Sequence, residues 1–294
     1  MPLLFVEPLN IRLFGQNILA RLFLYLGLWG LCGAIFPVSA QTYGLCEQSH
    51  IALRAQPGHQ AERVTELLFG EAYLVLEANT DSSWLYIRTQ ADQYPGWIPS
   101  AQHSAITPQY YAEYSQVIHP VAAQDLQLPG QGWIPAGATL PFYQGTTIRL
   151  SNTTLNCPQP LPTQAQGTLL ETAQRFLKIP YLWGGKTSQG LDCSGFVQVV
   201  HKIHGIALPR DSYQQAEVGQ QHPFAQAKAG DLAFFQRQAE GKGKVVHVGI
   251  YLGNGKIIHA DGQVRIDTLD TKGLYRQDQG RYSHYLKFLT RLKQ

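Results

Sequence analysis

The order of segments after residue 163 is the feature that most constrains the fold of this chain. Two helical patterns come first, at residues 168–177 and from Cys193 to about Gly205, each with apolar residues on one face. Four strand-like runs follow, at residues 232–236, 245–252, 256–260 and 263–267. Helices followed by strands predict an α+β domain over residues 163–294, in which one helix packs on an antiparallel sheet.

The region before residue 158 has a different pattern, in which short strand candidates alternate with turns. The chain has 294 residues with 28 glycines and 17 prolines, enough length for two or three domains and many turns. Strand candidates lie at residues 51–53, 72–77, 84–88 and 96–99, and a weaker pattern of the same kind runs from 116 to 156. We expect two small β-barrels, at residues 41–105 and 106–158, joined to the last domain by the proline-rich linker at 158–162.

The first forty residues have the pattern of an export signal. Arg12 and Arg21 precede an apolar stretch at residues 22–36, and the small residues Val38 and Ala40 fit a signal-peptidase site before position 41. An uncleaved anchor is the alternative, but the apolar stretch falls short of the ~20 residues that a bilayer needs. The sequence predicts an exported protein of the periplasm, the cell envelope or the medium, without stable membrane insertion after the signal is removed.

Export bears on how the cysteines are interpreted. Removal of residues 1–40 leaves Cys46, Cys157 and Cys193, an odd number in a compartment that permits disulfides. One possibility is a bridge between Cys46 and Cys157, with Cys193 free. The other is that both are small buried residues, and the sequence leaves the two open.

Charge and ligand spacing argue against two classes of function. The formal net charge is +3 and no Lys/Arg run is present, so nucleic-acid binding is not expected. No pair of metal-ligating residues occurs at short helical or turn spacing, so neither a metal nor another cofactor is expected.

Cys193, His247 and His259 form the candidate catalytic set. A thiol at a helix N-terminus gains thiolate character from the helix dipole, and an imidazole on a strand can complete its deprotonation. A lone cysteine or histidine is more often structural, but these three lie on a helix start and on two strands of one predicted hairpin. We expect Cys193 to attack a peptide carbonyl, His247 to transfer the proton and His259 to orient the imidazole, with the backbone N–H of Cys193 binding the oxyanion.

Five ordered blocks over about 130 residues resemble the NlpC-type cysteine peptidases of bacterial cell walls. The blocks are PYLWGG at 180–185, LDCSGFVQ at 191–198, LPRDS at 208–212, AGDLAFF at 229–235 and HVGIY at 247–251. The N-terminal region resembles the bacterial SH3 domains of the subgroup of γ-D-glutamyl-L-diamino acid endopeptidases. This resemblance implies a papain-like catalytic domain preceded by two small SH3-like barrels.

The resemblance also implies further site residues. Tyr181 would supply a catalytic hydroxyl, and Asp211 would form a salt bridge with the free amine of an N-terminal L-Ala, although it could equally be a helix N-cap. Tyr94 and Glu71 would come from the first barrel. The other residues implied in substrate binding are Trp183, Asp192, Ser194 and Ser212.

The expected function is therefore hydrolysis of the γ-D-glutamyl–diamino acid bond in peptidoglycan-derived peptides with a free N-terminal L-Ala, in cell-wall turnover. The same residues would serve a cell-wall amidase, an acyltransferase or a lytic peptidase of different bond specificity. A non-catalytic wall-binding protein would account for the barrels, but it would not need the cysteine and both histidines.

Overall fold

The computed structural model describes residues 41–238 and 243–292 of the chain. The predicted export signal lies outside the described residues. Within the part that the structure describes, no helix is both long and apolar enough to cross a membrane.

The N-terminal barrel is built from seven antiparallel strands in the order β3-β2-β6-β5-β4-β1-β7. Their bounds are β1 (Thr42–Leu45), β2 (His50–Arg54), β3 (Arg63–Leu68), β4 (Ala72–Ala78), β5 (Trp84–Thr89), β6 (Pro95–Pro99) and β7 (Ser104–Ile106). Alternating apolar side chains point inward, and Leu53, Ile87 and Ile98 are fully buried. All four strand candidates of this region lie in β2, β4, β5 and β6, whereas β1, β3 and β7 were not predicted.

The second segment differs from the barrel that the sequence predicts. It consists of helix α1 (Pro108–Gln116) and two two-stranded sheets, which pair β8 (Leu126–Leu128) with β9 (Gly132–Ile134) and β10 (Thr147–Arg149) with β11 (Thr154–Asn156). The two sheets are separate from each other, and none of their strands pairs with a strand of the first barrel. The prediction of a second barrel is therefore wrong at the level of strand pairing.

In the C-terminal domain the helices precede the strands of the main sheet, as predicted. Its elements are α2 (Leu169–Arg175), β12 (Lys186–Thr187), β13 (Gly190–Leu191), α3 (Cys193–Ile203), α4 (Ser212–Gln215), β14 (Gln220–His222), β15 (Leu232–Gln236), β16 (His247–Gly253), β17 (Lys256–Asp261), β18 (Gln263–Leu269), β19 (Gly273–Arg276) and β20 (Arg281–Arg291). The main sheet has the order β14-β20-β15-β16-β17-β18-β19, and the long strand β20 also pairs with β19, which closes six strands into a ring.

Helix α3 packs on strands β16 and β17 of this closed sheet. Phe196 and Val200 of the helix are buried in one cluster with Val248 of β16 and Ile258 of β17. Burial of side chains of this size contributes about 1.5–3 kcal/mol each. The papain-like α+β prediction is confirmed, and the packing fixes the first turn of α3 above the strands that carry the two histidines.

Polar contacts fasten the barrel to the catalytic domain. The Arg210 guanidinium Nε donates to Thr65 Oγ1 at 2.8 Å, and the backbone N–H of Lys186 donates to Glu66 Oε2 at 2.7 Å. The amide of Gln198 in α3 donates to Asp92 Oδ2 at 2.9 Å. The barrel is thus a fixed wall beside the catalytic helix.

Cys46 and Cys157 are not bridged. Both are buried free thiols, and they lie in different hydrophobic clusters. The thiol of Cys46 donates to the carbonyl oxygen of Leu67 at 3.5 Å, inside the barrel core. Of the two alternatives left by the sequence, the structure has the one in which both are small buried residues.

Candidate active site

Cys193 is the first residue of α3, and the cap of that helix fixes its position. Asp192 is the N-cap, and its Oδ1 accepts from the backbone N–H of Gly195 at 2.7 Å. Gly195 has to be a glycine, because a Cβ there would lie 2.2 Å from the carbonyl oxygen of Gly185. The Asp-Cys-Ser-Gly run therefore lets the catalytic turn sit directly against the preceding loop.

A chain of hydrogen bonds runs across three neighbouring strands below the cysteine. His247 Nε2 of β16 lies 2.9 Å from His259 Nδ1 of β17, and His259 Nε2 lies 3.0 Å from Asp267 Oδ2 of β18. All three side chains are buried. The structure thus brings together the two predicted histidines and adds Asp267, which was not predicted.

The carboxylate end of this chain sets the protons on both rings. Burial opposes ionisation of Asp267, but hydrogen bonds from His259 and Arg265 outweigh it and lower the pKa of the carboxyl. An ionised Asp267 accepts from Nε2–H of His259, which leaves His259 Nδ1 as an acceptor for Nε2–H of His247. Nδ1 of His247 is then the unprotonated nitrogen that is left to take the thiol proton.

Burial favours the neutral forms of the nucleophile and the base. It raises the pKa of Cys193 to about 12, with the Asp192 carboxylate acting in the same direction. Burial, with smaller effects of His284 and His259, lowers the pKa of His247 well below 6.5. Both shifts favour the thiol and the neutral imidazole over the thiolate and the imidazolium, so proton transfer from Cys193 to His247 would accompany the attack on a carbonyl.

A cavity of about 370 Å³ opens over Cys193 between the barrel and the catalytic domain. Both halves of the chain line it. The barrel supplies Glu62, Val64 and Tyr94, and the catalytic domain supplies Trp183, Asp192, Cys193, Ser194, Arg210, Asp211, Ser212, Tyr213, Arg237, Val245 and Val246.

Tyr94 and Asp211 meet at the barrel side of this cavity. The Tyr94 hydroxyl lies 3.2 Å from Oδ2 and 3.3 Å from Oδ1 of Asp211. Asp211 is also the N-cap residue of α4, and its backbone N–H donates to Gln214 Oε1 at 3.1 Å. Burial raises the pKa of the Asp211 carboxyl, with Arg210 and Tyr94 opposing that effect.

Arg210, which was not predicted as a site residue, organises the floor of the cavity. It is 1% exposed, and its guanidinium bonds both oxygens of Asp192 as well as Ser194 Oγ at 2.8 Å. Such a buried, bidentate pair is rigid and specific in geometry. Asp192 and Ser194 line the cavity as expected, with their polar atoms already bonded within the protein.

The remaining predicted residues divide into those near the thiol and one outside the cavity. Tyr181 is partly buried and packs against the apolar cluster that contains Cys193, and burial raises the pKa of its phenol. Trp183 is 60% exposed at the rim, and its Nε1–H donates to Glu62 Oε1 at 2.7 Å. Ser212 lines the cavity beside Asp211.

Glu71 is not brought to the cavity, which corrects its prediction as a substrate-binding residue. Its carboxylate is buried and accepts from Lys202 Nζ at 2.6 Å and from the backbone N–H of Leu68 at 2.9 Å. Burial opposes ionisation, but Lys186 and Lys202 lower the pKa of Glu71. Glu71 therefore acts as an internal ion-pair partner between the barrel and α3.

Two family models match the two halves of this arrangement. Residues 178–281 match the NlpC/P60 family, and residues 53–102 match the bacterial dipeptidyl-peptidase SH3 domain. The first match contains the cysteine, both histidines and Asp267. The second contains Tyr94 and Glu62.

Curated relatives and solved structures agree with both matches. The chain is 32% identical over 212 residues to the gamma-D-glutamyl-L-lysine dipeptidyl-peptidase of Bacillus subtilis, covering 67% of this chain and 71% of the relative. A protein of the same name from Bacillus cereus is 30% identical, covering 74% and 73%. The crystal structure of an NlpC/P60 family protein from Bacillus cereus has the same fold, with a TM-score of 0.67 at 23% identity over 85% of this chain and 99% of that one.

A buried thiol at a helix start, an oriented imidazole below it and an SH3-like wall beside it define a cysteine peptidase of papain-like fold. The chain belongs to the NlpC/P60 family of cell-wall peptidases. Members of this family act on cell-wall peptidoglycan, which indicates substrates derived from peptidoglycan and an activity in the envelope or outside the cell.

Proposed function

We propose that this enzyme hydrolyses the γ-D-glutamyl–diamino acid bond of peptidoglycan peptides that have a free N-terminal L-Ala. The observation that carries the proposal is the Tyr94–Asp211 contact at the barrel side of the cavity over Cys193. The names of the two Bacillus relatives point to the same bond with lysine as the diamino acid.

Asp211 has the features of a receptor for an ammonium group. Its carboxylate is half-buried and accepts from Tyr94, yet among the described residues no cationic side chain lies within the 4.0 Å of an ion pair. Burial raises its pKa, so a bound cation would restore the interactions that the carboxylate has lost with water. The free amine of L-Ala supplies that cation and up to three hydrogen-bond donors.

The catalytic steps follow from the order of protons on the histidines. Cys193 Sγ attacks the γ-carbonyl carbon of D-Glu while its proton moves to Nδ1 of His247. The backbone N–H of Cys193 and the hydroxyl of Tyr181 stabilise the oxyanion. His247 then protonates the leaving amine of the diamino acid, and a water activated by the same nitrogen hydrolyses the thioester.

The position of the barrel predicts which form of the substrate is cleaved. In intact wall the amine of L-Ala is acylated by muramic acid, so it carries no charge and bears a bulky glycan. A wall formed by Tyr94 and neighbouring barrel residues would leave no space for that glycan. The enzyme would therefore act on released peptides after export, in turnover or recycling of the wall.

Mass analysis of products from peptides of defined length tests the proposal. L-Ala-γ-D-Glu-diaminopimelate should yield the dipeptide L-Ala-D-Glu, with its γ-carboxyl free, and free diaminopimelate, and the Cys193→Ala protein should yield neither. An amidase that cuts at muramic acid, an acyltransferase or a lytic peptidase of other specificity would give different masses. A folded wild-type protein without any product on all peptides would favour a wall-binding role.

A further inference from the structure

A third imidazole, that of His284, lies against the face of the catalytic base. The ring centroids of His284 and His247 are 4.4 Å apart, and the ring planes differ by only 17°. His284 belongs to β20, on the far side of β15 from β16 in the strand order, and its partner across β19 is Leu274. This contact is not used by the hydrogen-bond chain of His247, His259 and Asp267.

The surroundings of His284 favour its neutral form at neutral pH. Burial lowers the pKa of the His284 imidazole to about 4, and the charges of His259, Arg237 and Arg276 also act to lower it. Asp261 opposes them. The Nδ1 atom lies 3.1 Å from Ser283 Oγ, and the ring also makes an edge contact with Phe235, with 6.4 Å between the ring centroids.

A neutral ring stacked on His247 has two consequences for the reaction. The His284 ring covers one face of His247. The His259 ring contacts His247 with an angle of 88° between the ring planes, so contacts from two directions fix the plane of His247. The His284 ring also removes the covered face of His247 from water, which favours the neutral, proton-accepting form of the base.

We infer that His284 is a positioning residue, which holds the plane of His247 by stacking and keeps water from one face of the base. The inference rests on His247 as the base that serves Cys193. It does not depend on which peptide the enzyme cleaves.

Two substitutions separate stacking from the chemistry of the imidazole nitrogens. His284→Phe keeps an aromatic face and excludes water, whereas His284→Ala removes the face and opens a path for water. We expect His284→Ala to lower kcat at pH 7 by about 5- to 30-fold with KM nearly unchanged, and His284→Phe to stay within about threefold of wild type. His59→Ala is the matched control, because His59 is an exposed barrel histidine with an aromatic contact to Trp84.

The pH dependence of kcat is a readout whose position on the pH axis a loss of folded protein would not shift. Water beside His247 would raise its pKa toward 6.5, so the acid limb of kcat should move to higher pH in His284→Ala and stay close to wild type in His284→Phe. The rate at which iodoacetamide alkylates Cys193 reports the action of His247 as a base without any substrate. The His247→Ala protein gives the rate of alkylation when the base is absent. Melting temperatures identify a variant that fails to fold.

The inference is overturned by either of two results in folded protein. One is a His284→Ala variant with the kcat, the acid limb and the alkylation rate of wild type. The other is a His284→Phe variant that is as slow as His284→Ala, since an aromatic face would then not be what the site uses. Failure of the proposed peptide specificity would leave the alkylation comparison unaffected.

Discussion

The hydroxyl of Tyr94 in the barrel lies 3.2 Å from the carboxylate of Asp211 in the catalytic domain, although 117 residues separate them in the chain. This contact places the barrel at the edge of the cavity over Cys193. Because the proposed recognition of the L-Ala amine depends on it, the two domains should contribute jointly to substrate affinity.

Removal of the Tyr94 hydroxyl should weaken substrate binding more than turnover. In Tyr94→Phe the Asp211 carboxylate loses its phenol donor, and one such hydrogen bond to a charged group contributes about 1.5–3 kcal/mol. We expect kcat/KM for L-Ala-γ-D-Glu-diaminopimelate to fall by about 10- to 100-fold, mostly through KM. Tyr86→Phe is the matched control in the same barrel, since Tyr86 packs on Trp97. Equal kinetics for both variants would contradict the role of Tyr94.

The thiol should react as a buried neutral group in the free enzyme. Because burial raises the pKa of Cys193 to about 12, alkylation by iodoacetamide should increase only above the pH range of an ordinary thiol, whose pKa is about 8.5. Cys193→Ala should abolish hydrolysis while the protein stays folded. A rate of alkylation at pH 6 that matches the rate at pH 9 would indicate a stable thiolate–imidazolium pair instead.

The base should remain active in mildly acidic solution. A general base works above its own pKa, and the pKa of His247 is well below 6.5, so the acid limb of the pH profile of kcat should lie below pH 6.5. An acid limb at or above pH 6.5 would contradict a base of lowered pKa.

The two histidines should differ in their importance for activity. His247→Ala should lose most of the activity, whereas His259→Asn or His259→Gln should retain a measurable part. If His259→Gln were as inactive as His247→Ala, orientation alone would not describe the role of His259.

Asp267 should affect catalysis because it determines which nitrogens of His259 and His247 carry a proton. In Asp267→Asn the amide can donate to Nε2 of His259, which reverses both hydrogen bonds and places a proton on Nδ1 of His247. We expect kcat to fall by about 10²- to 10³-fold with little change in KM. Asp278→Asn is the control, because Asp278 also pairs with Arg265 at 2.8 Å but is exposed. Similar activity of the two variants would contradict the tautomer assignment.

Cys46 and Cys157 should be found as thiols. Labelling of the unfolded protein without reductant, followed by peptide mass analysis, should modify both positions, and reductant should leave the melting temperature unchanged. A peptide pair linked through the two cysteines would overturn their assignment as separate core residues.

Local signals in the sequence were sufficient for the catalytic helix and for both histidines. The cap at Asp192, the apolar face of α3 and the turn between β16 and β17 all act within a few residues, so their pattern is visible along the chain. Tyr94 and Asp211 were paired only through the family resemblance, because no local signal relates residues 117 positions apart.

The features missed from the sequence depend on strand register or on long-range ion pairs. Asp267 was placed at the end of a predicted strand, but its contact with His259 follows from the pairing of β17 with β18. β3 was missed because Arg63 and Glu66 interrupt its apolar pattern, and both charges are used in a salt bridge at 2.7 Å. Glu71 was assigned to the cavity by resemblance, whereas its lysine partners hold it in the interior.

The most direct test of the account compares kcat/KM for L-Ala-γ-D-Glu-diaminopimelate with that for its N-acetylated form, in wild type and in Asp211→Asn. Acetylation removes the charge of the amine and leaves Asp211 unpaired in a partly desolvated site, which should cost about 2–5 kcal/mol of transition-state binding. Wild type should therefore prefer the free amine by about 30- to 4,000-fold, and Asp211→Asn should lose most of that preference. Equal rates of wild type on the two peptides, or efficient solubilisation of intact sacculi, would contradict a cavity closed by Tyr94 and Asp211.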